Sequence, residues 1–211
     1  MSLNLFAASN QWSTRPADQR FWSLNEMFDA ADAYRQLAVS KTVAMRSLRC
    51  VPHEGGNLFL AGPAGNPASL THWAFGQLAN RVNAPAEYLR QLPAELAATN
   101  INHGLAAADA DQQASILLHR NGSLVCRSLT SEKYSRIYNA DVIERLLPLS
   151  EFGWRVPPAR PAFHNQPGAR PATEADLLAD REFGLSVKVG DMIAPAGLYA
   201  SDHDCFVFMV N

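Results

Sequence analysis

Residues 115–129, Ser-Ile-Leu-Leu-His-Arg-Asn-Gly-Ser-Leu-Val-Cys-Arg-Ser-Leu, constrain the fold more than any other stretch of the chain. Two apolar runs flank Asn121-Gly122, the dipeptide best suited to positive φ at both centres of a type I′ turn. An antiparallel hairpin is expected there. It pairs a strand ending at His119–Arg120 with one beginning at Ser123. Such a hairpin rules out an all-helical fold, and the rest of the sequence says what packs against it.

Helical periodicity is clearest over 23–38, where Leu24, Met27, Phe28, Ala31, Tyr34 and Leu37 form one stripe. Ser23 and Glu26 have the spacing of a capping box. Residues 70–82 read as a second helix, and Pro85 and Pro93 as first-turn residues of two more. Residues 139–149 read as a helix capped by Asn139, with Val142, Ile143, Leu146 and Leu147 inward. A hairpin is expected across Gly55-Gly56, a short strand at Phe152–Val156, and an extended Pro-rich loop over 157–172. After a short helix from Thr173, the alternation Phe183, Leu185, Val187, Val189 reads as a strand, and a hairpin closes the chain. Helices and hairpins interleave without a βαβ rhythm. The expected class is α+β, with antiparallel hairpins and sheet packed with short helices in a single domain spanning 1–211.

Composition narrows the partners. With 211 residues and 47% apolar content the chain can build a real core, and at net charge −2 any nucleic-acid surface must be a local patch. Cys50, Cys126 and Cys205 have no metal-ligand spacing, which fits buried thiols in a reducing cytoplasm. The first twenty residues lack a secretory pattern, and no apolar stretch approaches membrane-spanning length. A cytoplasmic protein without a membrane partner is expected.

Four candidate sites follow. Asp202-His203-Asp204 could hold a metal, but neighbouring strand residues point to opposite faces, so the turn of the last hairpin is the preferred reading. Residues 75–92 have the apolar spacing of a helix-turn-helix, with Asn83 suited to the left-handed position. Only Arg90 and Gln91 could reach nucleic acid, so a packed helical hairpin is expected instead. His53, His72, His103, His119 and His164 form no ligand pair, and no nucleophile elbow or phosphate loop occurs, so no catalytic residue, metal or cofactor is assigned. The fourth candidate is cationic and aromatic. Arg127, Lys133, Tyr134 and Arg136 follow the hairpin, and Trp154, Arg155, Arg160 and Arg170 occupy a stretch with no acidic residue between Glu151 and Glu174. Cations tracking phosphates, with rings to stack on bases, suit single-strand binding. The competing reading makes Trp154 a core residue and the arginines an ordinary solvated face.

Three blocks, LTHWAFGQLANRVNAPAEYLRQLP, CRSLTSEKYSRIYNADVIERL and GLYASDHDCFVFMVN, together resemble a phage/plasmid-like family filed as a domain of unknown function, over residues 40–211. The resemblance implies residence on a mobile element and supplies no catalytic residues. Relatives continue past the point where this chain stops, so either further C-terminal elements or a partner is expected to complete the sheet. The stretch NADVIERLLPLSEFGWRV also resembles the core order of Rad52-like annealing proteins, although those line their groove with lysines that this stretch lacks. Together these imply a non-enzymatic, homo-oligomeric protein that binds or anneals single-stranded DNA in recombination or replication. The alternatives are a counter-defence (anti-CRISPR or anti-restriction) protein contacting a host or phage protein, and a metal-dependent nucleic-acid enzyme using the Asp202–Asp204 turn.

Overall fold

The computed structural model describes residues 15–63, 65–162, 164, 166–183, 187–201 and 204–211. The order begins α1 (Leu24–Gln36), β1 (Ala38–Ala44), β2 (Arg49–Pro52), β3 (Leu58–Ala61) and β4 (Ala68–Leu70). Three helices follow, α2 (His72–Arg81), α3 (Ala86–Gln91) and α4 (Ala94–Ala107), then β5 (Gln113–Asn121) and β6 (Ser123–Thr130). The remainder runs α5 (Asn139–Leu146), β7 (Arg160–Pro161), β8 (Arg170–Pro171), α6 (Glu174–Phe183), β9 (Met192–Ala194), β10 (Leu198–Ala200) and β11 (Cys205–Val207). The class is α+β. The chain divides into two compact units, residues 36–136 and the remainder on either side of them.

In the 36–136 unit six strands form one sheet in the order β1-β5-β6-β4-β3-β2. All its pairings are antiparallel except β4 with β6, which run parallel with Ser69 opposite Val125. Alternation sorts the strand residues onto two faces. Cys50, Leu60, Ala68, Ala114, Ile116, Cys126 and Leu129 pack against Phe75, Leu78, Leu89, Ile101 and Leu105 of the helices. Each fully buried Leu or Ile contributes about 1.5–3 kcal/mol, so this layer dominates the unit's stability. Thr71 caps α2, its hydroxyl accepting from Ala74 N–H, and Asn83 at φ 53 turns the chain into α3. The helix-turn-helix spacing of 75–92 is thus a packed helical hairpin: Leu78 and Leu89 are core, and the Arg90 guanidinium donates to His72 C=O at 3.0 Å while lying over Phe75.

The β5–β6 hairpin forms where the sequence predicts, but with a tighter end. Pairing continues to Asn121 opposite Ser123, leaving Gly122 (φ 71) alone at the tip. The cause lies four to five residues away, where the register shifts between Leu117 and Leu118. Leu117 faces Ser128 and Leu118 faces Cys126, so Arg127 is the extra residue of a bulge. One bulged residue moves the centre of the hairpin and removes room for a two-residue turn.

In the other unit, Met27 of α1 packs with Phe21, Ile143, Leu198 and Ala200. Ser23 caps α1, and the Glu26 carboxylate accepts from Trp22 N–H at 2.8 Å. The helix stops at Gln36, so Leu37 leaves the predicted stripe and is exposed. Asn139 does not cap α5. Tyr138 takes that position, its N–H donating to Asp141, while the Asn139 amide donates to the carbonyls of Ser201 and Asp204. A tertiary task has displaced the local one. Phe152–Val156 is not a named strand, since a 3₁₀ turn runs to Phe152 and only Arg155 pairs, in a single bridge with Val210. The Pro-rich stretch supplies β7 and β8, which flank β9. At the two ends of the strand predicted over 183–189, α6 runs through Phe183, Val187 is buried and Val189 lies in an exposed turn, and the next strand is β9. Phe183–Val189 lies partly outside the described residues. The last hairpin forms as expected, with Ala200 opposite Cys205.

Candidate nucleic-acid interface

The eight predicted DNA-binding residues fall into the two units, four in each. Arg127, Lys133, Tyr134 and Arg136 belong to residues 36–136, which carry nine Lys/Arg against six Asp/Glu. The rest of the chain carries nine against fourteen. Net charge −2 therefore conceals a cationic unit of +3 and an acidic one of −5. No acidic residue occurs between Asp111 and Glu132, so the whole β5–β6 hairpin is free of them.

Local structure gathers this first group. The bulge at Arg127 disrupts the ladder, and neighbouring groups take up its backbone: Thr71 Oγ1 donates to Arg127 C=O at 3.2 Å, and Leu129 N–H donates to Gln77 Oε1 at 2.8 Å. Beyond β6 the chain turns back, with Tyr134 N–H donating to Ser131 C=O. Arg136 then donates to Ser128 Oγ at 3.0 Å and lies over the Tyr134 ring, 6.0 Å from its centroid. Ser128 is on the sheet face opposite the helices, so the pair is tied to that face. Tyr134 is 57% exposed and Lys133 is exposed beside it. The group thus combines an exposed aromatic ring, a cation aligned on it and a second cation one residue away, the elements that single-strand binders use in general.

The same unit also holds a cavity of about 460 Å³, on the helix side of the sheet and away from this group. Ser69, Leu70 and Thr71 form part of its lining, and their strand is bonded to β6 at Val125 and Cys126. Phe75, Leu89 and Arg90 line it from the helices. Sequence reading missed this cavity, because no local pattern announces a gap between β4 and three short helices.

The second group is arranged differently. Arg170 forms a bidentate ion pair with Asp176 at 2.8 Å for both contacts, and its guanidinium lies 4.0 Å from the Trp22 ring centroid. Asp176 also accepts from Thr173 N–H and Oγ1. The Arg170 guanidinium, ahead of the Thr173 bonds, holds the Asp176 carboxyl well below the usual carboxylate range. The stretch that is acid-free in sequence is thus answered by an aspartate just beyond it. Arg160 is exposed on β7, Arg155 is in the bridge to Val210, and Trp154 is 38% exposed, so Trp154 is not a core residue.

Asp202 and His203 lie outside the described residues. Asp204 has its carboxylate on the buried Arg15 guanidinium (Nη1 to Oδ1 2.7 Å, with a second contact from Nη2 to Oδ2), and Ser201 Oγ donates to it at 2.7 Å. Arg15 also faces the Phe206 ring at 5.6 Å, so this carboxylate serves to fasten the last hairpin. Among the described residues, no three or more His, Cys, Asp or Glu side chains cluster as metal ligands. Burial pushes the Cys50 thiol up to about 11 and the Cys126 thiol up to about 12, so neither supplies a thiolate near neutral pH. No helix is long and apolar enough to cross a membrane among the described residues. No family model, curated protein or solved structure matches the chain.

Proposed function

We propose that the chain binds single-stranded DNA without cleaving it, through the β5–β6 hairpin and the segment after it. The observation that carries this reading is the Arg136–Tyr134 pair tied to Ser128 within a unit of net charge +3. Tyr134 offers its ring to a base, and Lys133 and Arg136 neutralise the flanking phosphates. Binding of this kind is sequence-tolerant, since every base has a π face, and salt-sensitive, since each neutralised phosphate releases counterions. Annealing of two strands is the use this reading supports.

Anisotropy of labelled single- and double-stranded oligonucleotides, titrated over a salt series, tests it. Lys133→Ala with Arg136→Ala is expected to flatten the log–log salt dependence for single strands by about 1.4, at about 0.7 per phosphate contact. Tyr134→Ala is expected to weaken binding by about 1–3 kcal/mol with the slope unchanged. Single-strand affinity that is indifferent to all three substitutions overturns the assignment.

A further inference from the structure

The two ends of the six-stranded sheet are treated differently. At the β2 end, the Asn102 side chain of α4 acts as a substitute strand: Cys50 N–H donates to Asn102 Oδ1 at 2.7 Å, and Asn102 Nδ2 donates to Cys50 C=O at 2.8 Å. Pro52 removes a further donor from that strand. At the β1 end neither device is present among the described residues. Ala38–Ala44 runs for seven residues along β5, contains no proline or glycine, and is exposed at Val39, Ser40, Lys41, Thr42 and Ala44. An edge of this length invites another strand.

The sequence of β1, Ala-Val-Ser-Lys-Thr-Val-Ala, reads nearly the same in both directions about Lys41. Antiparallel pairing of two such strands about a two-fold axis sets Ala38 opposite Ala44, Val39 opposite Val43, and Ser40 opposite Thr42. We propose that β1 is a self-association edge, and that a second copy of this chain adds to the sheet in that register.

Both faces of β1 fit. Val43 packs on the helix-side core, whereas Val39, two pairs along the same face, is 47% exposed. In the paired register Val39 meets the partner's Val43 and gains the cover it lacks. On the opposite face each Ser40 meets a Thr42, a cross-strand pair that forms side-chain hydrogen bonds. Lys41 is the one mismatch, because the axis sets it against its own copy, and like charges directly opposite are unfavourable. Seven residues a side also fall well short of the roughly 20–30 of a stable interface, so the dimer is weak and reversible. The same symmetry is isologous and closes at two copies.

Sedimentation equilibrium from micromolar to near-millimolar concentration reads the equilibrium directly. Lys41→Thr is expected to tighten the dimer about tenfold, and raising the salt concentration to tighten that of the parent. Val39→Lys, at an exposed position that leaves folding intact, is expected to keep the chain monomeric. Register is read by mild oxidation of Lys41→Cys and Val39→Cys, with the parent chain as control for its own thiols. Lys41→Cys is expected to give covalent dimer because the axis brings the two thiols together. Val39→Cys is expected to give none beyond the control, since its copies lie roughly 13 Å apart along the strands. A Lys41→Thr chain that is monomeric at every concentration overturns the proposal, as does equal cross-linking of the two cysteine variants.

Discussion

Arg170→Ala separates a structural arginine from a phosphate-binding one. In the parent, Arg170 makes two 2.8 Å contacts with Asp176 and stacks on Trp22. Its side chain is 40% exposed, so solvent screening limits the ion pair to about 1 kcal/mol even with bidentate geometry. The cation–π contact adds about 0.5–1 kcal/mol. The variant should therefore lose about 1.5 kcal/mol, a fall in Tm of roughly 3–6 °C for a chain of this size. The sign of the pH effect follows from Asp176. Its carboxyl is held below the usual range in the folded chain, by Arg170 first, so its contribution is present above about pH 4 and lost as pH falls below that. The gap in Tm between parent and variant should accordingly begin to narrow below about pH 4 and go on narrowing to the acid limit of the melts. Calorimetric melts at several pH values supply these numbers, and the salt dependence of single-strand binding on the same samples should be unchanged. An unaltered Tm together with a slope flatter by about 0.7 would refute the structural role and make Arg170 a phosphate ligand.

Two further outcomes are expected. A Cβ at Gly104 would sit 2.5 Å from Val82 Cβ and 3.1 Å from Val82 O, so Gly104→Ala should cost about 1–3 kcal/mol in chemical denaturation. Adding Val82→Ala should recover part of that loss, and simple additivity of the two changes would count against the contact. Trp154→Ala should cost under about 1 kcal/mol, since the ring is 38% exposed, and a loss of 3–5 kcal/mol in the same melts would restore it to the core.

What could be read in the sequence was whatever its own neighbourhood decides. The positive φ of Asn83, the Ser23 cap, the helices after Pro85 and Pro93, and the hairpin around Gly122 each depend on a few adjacent residues. Readings failed where a distant group intervened. Asn139 has the chemistry of a cap but is held by carbonyls more than sixty residues away. Arg170 lies in an acid-free run but meets Asp176, six residues on. Gly122 stands alone at its tip because a bulge near the middle of the hairpin shifted the register. The parallel β4–β6 pair joins three residues of strand to a partner more than fifty positions on, and three residues are too few to carry a periodic signal. The candidate interface was half legible: Lys133, Tyr134 and Arg136 were named from composition, whereas the Ser128 anchor depends on strand register.

The split of one unit around the other has a consequence during synthesis. Residues 36–136 are contiguous, so every contact within them becomes available as soon as that length has emerged. Met27 has no such convenience, because its core neighbours include Ile143 and Leu198, the latter 171 positions downstream. At about 5–20 residues per second, α1 waits roughly 10–35 s with its apolar stripe uncovered. The ribosome thus releases the cationic unit complete in length while the acidic one is still an open half.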